Sequence, residues 1–296
     1  MMIDKVAVVT GSNKGIGYGI VRELCRREVK IVYLTARDIK RGEEAVKKLK
    51  EEGFFPFFYQ LDITDKKSVE NFAKHLVRKY SYIDILINNA ATTPEDFNKT
   101  TYVDAKRVID VNYRSFSNIQ EYLFPILGDD ARVVNISSDC GHISNLKNTY
   151  WIERLTKQNL EIKDIDEFVD WFLESVQNET LNENDFASTS FLAYRISKIA
   201  ICALTRVQQA TIGRNISINS LHPGFVKTDM TMQHGDLSIV QSSKAPVYLA
   251  LDCDQSLKGK FIWYDKTEVD WADPNVKLKC QDKEEVDKYF EAVSKT

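Results

Sequence analysis

The chain has 296 residues, of which 43% are hydrophobic and 28% charged, a composition typical of a globular protein and not of a disordered one. Its formal net charge of -3 predicts no general attraction to nucleic acid or to an anionic membrane. The five cysteines and four histidines are scattered, without the close pairs that zinc sites use, so we expect no metal site.

The start of the chain runs directly into a strand pattern and lacks the apolar core of a signal peptide. No apolar stretch reaches the length of about 18 residues that a membrane span needs. These features predict a cytoplasmic protein with reduced thiols, and the length favours one domain over residues 1–296 with an elaboration.

Residues 5–10 (KVAVVT) are mostly apolar and β-branched, which is typical of a strand buried on both faces of a parallel sheet. The strand leads into a glycine-rich turn, TGSNKGIG at residues 10–17, and then into an amphipathic helix. Glycines let the backbone approach a ligand, and the free amides of a helix start attract a pyrophosphate. Glycines also mark plain turns, so the position between strand and helix is what favours a dinucleotide site.

A second strand at residues 31–35 is followed by Arg37 and Asp38, where the cofactor is selected. An acidic residue at this point binds the ribose of NAD, whereas a cation favours the 2′-phosphate of NADP. Arg37 can bind a phosphate through two hydrogen bonds, and Lys14 in the glycine turn adds a second positive charge. These cations favour NADP(H); in the alternative both are solvated and Asp38 caps the next helix.

Helix and strand patterns alternate through the rest of the chain. The apolar spacing predicts helices at residues 40–52, 65–80, 192–205 and 238–251, and further strands at residues 54–61, 83–87, 131–137, 216–221 and 259–264. This alternation predicts an α/β fold, a doubly wound (Rossmann) parallel sheet of about seven strands with helices on both faces.

Three side chains are candidates for chemistry. Tyr194 and Lys198 lie four residues apart on a predicted helix, so the phenol and the ammonium share one face. Taken alone, the pair is better explained by a packed ring and a solvated lysine, and only the wider set of motifs favours catalysis. Ser138 follows a buried strand, at the edge where open parallel sheets bind ligands.

Together these motifs resemble the short-chain dehydrogenase/reductase family, and in particular its carbonyl reductase branch. The glycine turn has the form T-G-x-x-x-G-x-G, and residues 88–91 (NNAA) are similar to the family's N-N-A-G with alanine in the last position. Ser138, Tyr194 and Lys198 match the family's catalytic positions in the correct order.

The resemblance implies NADPH-dependent reduction of aldehydes, ketones or quinones to alcohols. Tyr194 is then the proton donor, Lys198 lowers its pKa and clamps the ribose, and Ser138 anchors the carbonyl. Asn112, at an expected helix distortion, holds a water of a proton relay. Two alternatives stay open: a hydroxysteroid or retinol dehydrogenase of the same fold, and a non-catalytic NADP-binding sensor or scaffold.

The family positions also imply which residues contact the ligands. The implied cofactor contacts are Gly11, Asn13, Lys14, Gly15, Ile16, Gly17, Arg37, Asp62, Ile63, Asn89, Ala90, Val111, Tyr194, Lys198, Pro223, Gly224, Val226 and Thr228. The implied substrate pocket contains Ser138, Cys140, His222, Phe225 and Met230. For Asp62 a turn-capping role stays open, and for His222 a role as a base.

The stretch between Ser138 and Tyr194 is longer than in most family members, and its apolar residues follow helical spacing. We therefore expect a helical insertion at about residues 145–187. The resemblance implies that this insertion covers the surface through which relatives form tetramers, which predicts a monomer. The tail from about residue 265 is charged, with a helical stripe of Val286, Tyr289, Phe290 and Val293, and its position relative to the active site is left open.

Overall fold

The computed structural model describes residues 3–282, so the stripe expected at residues 286–293 lies outside the described residues. Within this range eight strands form one sheet: β1 (Ile3–Val9), β2 (Val29–Ala36), β3 (Phe57–Gln60), β4 (Ile83–Asn88), β5 (Leu127–Ile136), β6 (Ser217–His222), β7 (Phe261–Trp263) and β8 (Glu268–Val269). The order is β3-β2-β1-β4-β5-β6-β7-β8, and every neighbouring pair is parallel except β7 and β8.

The prediction of a doubly wound parallel sheet is confirmed, with one strand more than expected. The additional strand, β8, is only two residues long and is therefore too short to show any periodicity in the sequence. It lies antiparallel at the sheet edge, where a strand needs hydrogen bonds on one side only.

The helices of the described range are α1 (Gly15–Arg26), α2 (Ile39–Glu51), α3 (Lys66–Lys79), α4 (Tyr102–Ile109), α5 (Phe116–Tyr122), α6 (Thr149–Thr156), α7 (Ile162–Gln177), α8 (Leu192–Ile212), α9 (Ile239–Ser242) and α10 (Lys244–Leu251). They cover both faces of the sheet, because successive strand residues point to opposite sides. Ala7 and Val9 of β1 join the core beneath α1, α2 and α10, whereas Val8 joins the core beneath α3 and α5. None of these helices is both long and apolar enough to cross a membrane.

One predicted helix is divided in two. The sequence pattern indicated a continuous helix at residues 238–251, but α9 ends at Ser242 and α10 begins at Lys244. Pro246 has no backbone N–H and cannot continue the hydrogen bonds of a preceding helix. In the first turn of α10 this missing donor does no harm, because the first N–H groups of a helix have no intrahelical partner.

The helix distortion expected at Asn112 is present. A π-helical turn, Asp110–Arg114, lies between α4 and α5, and the Ser115 amide donates to the Asp110 carbonyl at 3.0 Å. Such single turns insert one extra residue into the helix and change the direction in which its side chains point. The distortion therefore turns the buried Asn112 side chain towards α8, where Ser197 meets it.

The stretch expected to hold a helical insertion contains α6 and α7. The apolar face of α7, formed by Ile165, Phe168, Val169 and Phe172, is fully buried against α4 and α8. Asp164 at the start of α7 is nearly buried and accepts hydrogen bonds or ion pairs from Arg154 and Lys157. The insertion is thus packed onto the same core as the sheet helices.

Residues 265–282, which we call the C-terminal segment, pack against the loop after β5. The Trp271 indole donates to the Gly141 carbonyl at 2.7 Å, and the Gln281 amide donates to the Ser144 hydroxyl at 2.7 Å. Trp271 and Leu278 are buried. The question that the sequence left open is therefore answered for this segment: it docks beside the residues that follow Ser138.

Shortening one side chain of α7 tests how firmly the insertion is built into the core. Phe168→Ala should lower the free energy of unfolding by about 3–5 kcal/mol, because it removes a fully buried ring and leaves a cavity. The measurement is denaturant unfolding followed by circular dichroism. Ile162→Ala, on the exposed side of the same helix, is the matched control, and equal effects of the two substitutions would show that α7 is only loosely attached.

Candidate active site

Four parallel strands deliver the candidate residues to one edge of the sheet. β1 and β4 are paired at Val9 and Ile87, β4 and β5 at Asn88 and Asn135, and β5 and β6 at Ile136 and Leu221. The loops that follow these strands therefore leave the sheet side by side, at the edge where doubly wound folds bind ligands.

The glycine turn is closely packed against the end of β4. Gly11 has φ +59°, and a β-carbon there would lie 2.7 Å from the Ala90 α-carbon. A β-carbon at Gly17 would lie 2.4 Å from Asn89 Nδ2, which donates to the carbonyls of Thr10 and Gly11, both at 2.9 Å. Side chains larger than hydrogen are thus excluded, and Asn89 holds the turn in shape.

The two candidate phosphate ligands differ in their surroundings. The exposed Arg37 guanidinium has no hydrogen bond or ion pair to any residue of the described range, whereas Lys14 Nζ donates to Asp229 Oδ2 at 3.0 Å. Asp38 is the N-cap of α2 and accepts from the Arg41 amide at 2.9 Å, as the alternative reading of Asp38 predicted. Since the Asp38 carboxylate is occupied at the helix start, Arg37 is the free charge at this position.

Asp62 is a turn residue. Its Oδ1 accepts from the Thr64 amide at 2.9 Å and from the Thr64 hydroxyl at 2.7 Å, so the turn-capping alternative describes its contacts. The loop after β6 returns to the glycine turn, and Thr228 Cγ2 lies 3.6 Å from the place of a β-carbon at Gly15. The other predicted cofactor positions are half-buried (Asn13, Ile16, Val111, Gly224) or buried (Ile63, Pro223, Val226).

Lys198 is held inside the protein. It is 2% exposed, its Nζ donates to the Ile136 carbonyl at 2.9 Å, and Nζ lies 5.3 Å from the centroid of the Tyr194 ring. Burial lowers the pKa of Lys198 to about 8, because the charged form loses its hydration. The predicted pair on one helix face is therefore formed, with the ammonium beneath the ring.

Burial acts on Tyr194 in the opposite direction. It raises the pKa of the phenol, as do the negative charges of Cys140 and Asp139, while a hydrogen bond with Ser138 lowers it. This direction holds for the protein's own groups, and the lowering expected from Lys198 together with a bound oxidised nicotinamide stays a prediction. The phenol consequently stays protonated at neutral pH.

Ser138 is in direct contact with the residue that follows it. Its Oγ donates to Asp139 Oδ1 at 2.8 Å, and the Asp139 amide donates to His222 Nδ1 at 2.9 Å. Burial opposes ionisation of Asp139, but the His222 ring and the Ser138 hydroxyl more than compensate and lower its pKa. Because Nδ1 of His222 accepts this amide, that nitrogen supports the serine loop and is not free to take a proton.

The predicted substrate-pocket residues divide into two groups. Cys140 and His222 lie on the inner side with Ser138, half-buried and buried respectively. Phe225 and Met230 lie on the loop after β6 and are 41% and 39% exposed. Large exposed apolar side chains next to a polar site indicate a surface that an apolar ligand can cover.

Asn112 is fully buried, and both ends of its side chain are bound to protein. Oδ1 accepts from the Thr92 amide at 2.8 Å, and Nδ2 donates to the Thr92 carbonyl at 2.9 Å and to Ser197 Oγ at 3.0 Å. The side chain thus fastens the loop after β4 to α8, one residue from Lys198. The relay water expected at Asn112 stays a prediction, and these contacts assign the side chain a positioning task.

Asp139, whose effect the sequence left open, completes the site together with two residues that the sequence reasoning missed, Arg195 and Cys280. Arg195 is 1% exposed and donates to the carbonyls of Ser190 and Cys280 and to Asn145 Oδ1. An arginine beside a candidate tyrosine carries no signal in the sequence, because only its burial shows that it joins α8 to distant segments. A carboxylate oxygen of Asp139 and the sulfurs of Cys140 and Cys280 lie within 4.8 Å of one another, a grouping that the scattered cysteines did not predict.

Comparison with known proteins agrees with this geometry. The sequence model described as short chain dehydrogenase matches residues 5–150. The NADPH carbonyl reductase 1 of Sus scrofa is 33% identical over 279 residues, which are 91% of this chain and 95% of that protein. The (+)-neomenthol dehydrogenase of Capsicum annuum is also 33% identical, and the match spans 88% of this chain and 95% of that protein.

Among solved structures, the salutaridine reductase from Papaver somniferum superposes with a TM-score of 0.80 at 30% identity, covering 88% of this chain and 99% of that chain. The fold and the site define a Rossmann-type oxidoreductase. The chain belongs to the short-chain dehydrogenase/reductase family and is carbonyl reductase-like.

The burial of Lys198 predicts a measurable effect on stability. The unfolded chain holds this proton up to about its usual pKa of 10.5, whereas the folded chain releases it at about 8, so the folded state gains stability as the pH rises between these values. Burying the charged ammonium costs about 1.4 kcal/mol for each unit by which the pKa is lowered. Lys198→Met removes this cost but also loses one hydrogen bond, so it should stabilise the protein at pH 7 by about 2 kcal/mol.

The measurement is the melting temperature of both proteins from pH 7 to pH 10.5. The advantage of Lys198→Met should be largest below pH 8 and should shrink as the pH rises. The exposed Lys47→Met is the control and should show no such trend. A wild type that is more stable than Lys198→Met throughout this range contradicts the costly burial of the charge.

Proposed function

We propose that this protein reduces carbonyl compounds (aldehydes, ketones or quinones) to alcohols with NADPH. The observation that carries the proposal is the meeting of Ser138, Tyr194 and Lys198 at the sheet edge where the glycine turn opens. The Lys198 ammonium lies beneath the Tyr194 ring, and the Ser138 hydroxyl is near enough to the phenol to lower its pKa. Names of relatives, including NADPH carbonyl reductase, support the cofactor and the reaction class.

The residues present suit NADP(H). Gly11 and Gly17 leave a surface without β-carbons, which allows a pyrophosphate to approach the backbone at the start of α1. The Arg37 guanidinium, which has no partner among residues 3–282, follows β2 where the 2′-phosphate of NADP would be bound, and Lys14 of the glycine turn adds a second positive charge. An enzyme specific for NAD would instead carry a free carboxylate here, and that of Asp38 is engaged in capping α2.

When bound, NADPH supplies the hydride. Tyr194 supplies the proton: its raised pKa keeps the phenol protonated, and the carbonyl oxygen takes up that proton as it gains negative charge. Lys198, fixed on the Ile136 carbonyl, places its positive charge next to the phenolate that remains. Proton transfer from a positioned side chain contributes typically about 10²- to 10⁴-fold to a rate.

Ser138 orients the substrate by donating its hydroxyl to the carbonyl oxygen. In the structure the same hydroxyl donates to Asp139, so a substrate must displace this contact. The ionised Asp139 therefore competes for the serine proton and at the same time holds Oγ in a fixed position.

A dehydrogenase acting on secondary alcohols is the second candidate, supported by the relative named (+)-neomenthol dehydrogenase. The same residues would work in reverse, with Tyr194 accepting the proton. Assays of NADPH oxidation with quinones, aldehydes and cyclic ketones, beside NADP⁺ reduction with the matching alcohols, separate the two directions. A protein that binds NADP(H) tightly and turns over in neither direction would instead be a sensor or scaffold.

We also propose that the protein is a monomer of the cytosol. In support of a monomer, α7 covers the face of α4 and α8 with a fully buried apolar stripe, which leaves this face inaccessible to a second copy. In support of the cytosol, all five cysteines are free thiols, as expected in a reducing compartment.

Removing the phenol hydroxyl tests the proposed proton donor. Tyr194→Phe should lower turnover about 10²- to 10⁴-fold, because the carbonyl oxygen loses its proton source. NADPH binding, measured by fluorescence titration, should change little. Tyr113→Phe, which also removes a buried hydroxyl but far from the site, is the control; wild-type turnover in Tyr194→Phe contradicts the assignment.

Reversing the charge at Arg37 tests the cofactor assignment. Arg37→Asp should shift the ratio of kcat/KM values from NADPH towards NADH, because a carboxylate repels the 2′-phosphate and can bind the free ribose hydroxyl. Lys48→Asp makes the same change of charge at the far end of α2 and should leave the ratio unaltered. An equal ratio in Arg37→Asp and wild type removes Arg37 from cofactor selection.

A further inference from the structure

Two thiols from distant parts of the chain meet beside the proposed catalytic serine. Cys140 follows Ser138 by two positions, whereas Cys280 belongs to the C-terminal segment, and their sulfurs lie within 4.8 Å of each other. Both side chains are half-buried, so small molecules in solution can reach them. By contrast, Cys202 and Cys253 are buried.

The surroundings give the two thiols different chemistry. A hydrogen bond from Cys280 and the nearby charge of Arg195 lower the pKa of Cys140, although burial opposes this. The same hydrogen bond raises the pKa of Cys280. The buried Arg195 charge, which is bonded to the Cys280 carbonyl, favours a thiolate in this pair, so we assign Cys140 as the nucleophile and Cys280 as the resolving thiol.

The partners of this pair are rigidly held. Arg195 donates to Asn145 Oδ1 at 2.6 Å and to the Cys280 carbonyl at 2.5 Å, and the Cys280 thiol donates to the same Asn145 oxygen at 3.7 Å. Arg195 itself is fully enclosed. The position of Cys280 opposite Cys140 is thus built into the fold through a buried cation.

The two thiols together with Asp139 resemble a set of metal ligands, but their contacts favour oxidation over metal binding. Asp139 Oδ1 already accepts from the Ser138 hydroxyl at 2.8 Å and from the Cys140 amide at 2.9 Å. A divalent cation would also have to lie next to the buried Arg195 charge and displace the Cys280 proton. A dithiol loses its protons on oxidation and adds no positive charge to the site.

We propose that Cys140 and Cys280 are a peroxide-sensitive modification site, and that their disulfide clamps the C-terminal segment beside Ser138. The Cys140 thiolate attacks hydrogen peroxide, forming an S–O bond as the O–O bond breaks, and the departing hydroxide takes a proton to become water. Cys280 then attacks the Cys140 sulfur, the S–S bond forms, and the second hydroxide leaves with the Cys280 proton as water. Two thiols are oxidised to a disulfide, and one peroxide is reduced to two waters.

Closing this bond affects the serine directly. The Cys140 amide donates to Ser138 Oγ at 3.2 Å, so the backbone that carries the sulfur also carries a contact of the serine hydroxyl. The C-terminal segment is already docked there through Trp271 and Gln281, and a covalent link removes its freedom to move aside. The disulfide should therefore inhibit turnover reversibly, a consequence that rests on the proposed reductase function, whereas formation of the bond does not.

The test uses the full chain, reduced and then treated with one equivalent of hydrogen peroxide. After the free thiols are alkylated, the mass of the protein and a peptide map are recorded with and without dithiothreitol. We expect a species that carries two alkyl groups fewer than the reduced control, a peptide linking Cys140 to Cys280, and loss of most NADPH turnover that dithiothreitol restores. Cys25→Ser, which alters another half-buried thiol, should behave like wild type.

In Cys280→Ser no linked peptide should form, and inhibition by peroxide should no longer be reversed by dithiothreitol, because Cys140 has lost its partner and is oxidised further. The proposal is overturned if wild-type Cys140 and Cys280 are both alkylated after peroxide, or if either forms a bond with a different cysteine. A protein that contains the disulfide and keeps full turnover contradicts the proposal that the clamp inhibits the reaction. Absence of turnover before any oxidation contradicts the proposed function alone, since the peptide map needs no activity.

Discussion

The site depends on one constraint, the parallel alignment of β1, β4, β5 and β6. Because their carboxyl ends lie at the same edge, loops that are far apart in the chain leave the sheet as neighbours. Hydrogen bonds between side chains fix this alignment in the interior: Asn88 donates to Asn135, and Asn135 donates to Thr205 of α8. These pairings position the glycine turn, Asn89 and Ser138. The bond to Thr205 fixes α8 along the sheet, so that Tyr194 lies at the same edge.

Two buried cations on α8 show what the site requires of the fold. Lys198 and Arg195 are almost fully enclosed, and each is bonded to a main-chain carbonyl, with no ion pair to a carboxylate in the part of the chain that the structure describes. Such groups are expensive to remove from water, so their presence favours function over stability. Lys198 brings charge beneath the Tyr194 ring, and Arg195 joins α8 to the insertion and to the C-terminal segment. The helix that carries the proposed proton donor is therefore also the element that assembles the rest of the site.

Local patterns were sufficient for most of the fold and for the proposed centre. Buried strands read as continuous apolar runs, and the glycine turn had to lie between a strand and a helix, which placed Gly11, Gly17 and Ser138 correctly. The errors have local causes as well. The two-residue strand β8 is too short to show a pattern. The break between α9 and α10 depends on Pro246, which is tolerated in the first turn of a helix but ends a helix that precedes it. The rise that burial causes in the pKa of Tyr194 also lay outside the reach of the sequence, because burial cannot be read from spacing.

The sequence by itself determined the α/β class, the order of the elements, the dinucleotide turn, the candidate Arg37 and the pairing of Tyr194 with Lys198. All of these follow from residue type and from spacing over a few positions, where geometry is set by the helix and strand repeats. Only the tertiary structure decided that Asp139 holds the Ser138 hydroxyl, that Arg195 is buried, and that Cys280 meets Cys140. These contacts join residues separated by long stretches of chain, and their energies depend on enclosure from water, which is a property of the folded molecule and not of any segment of it.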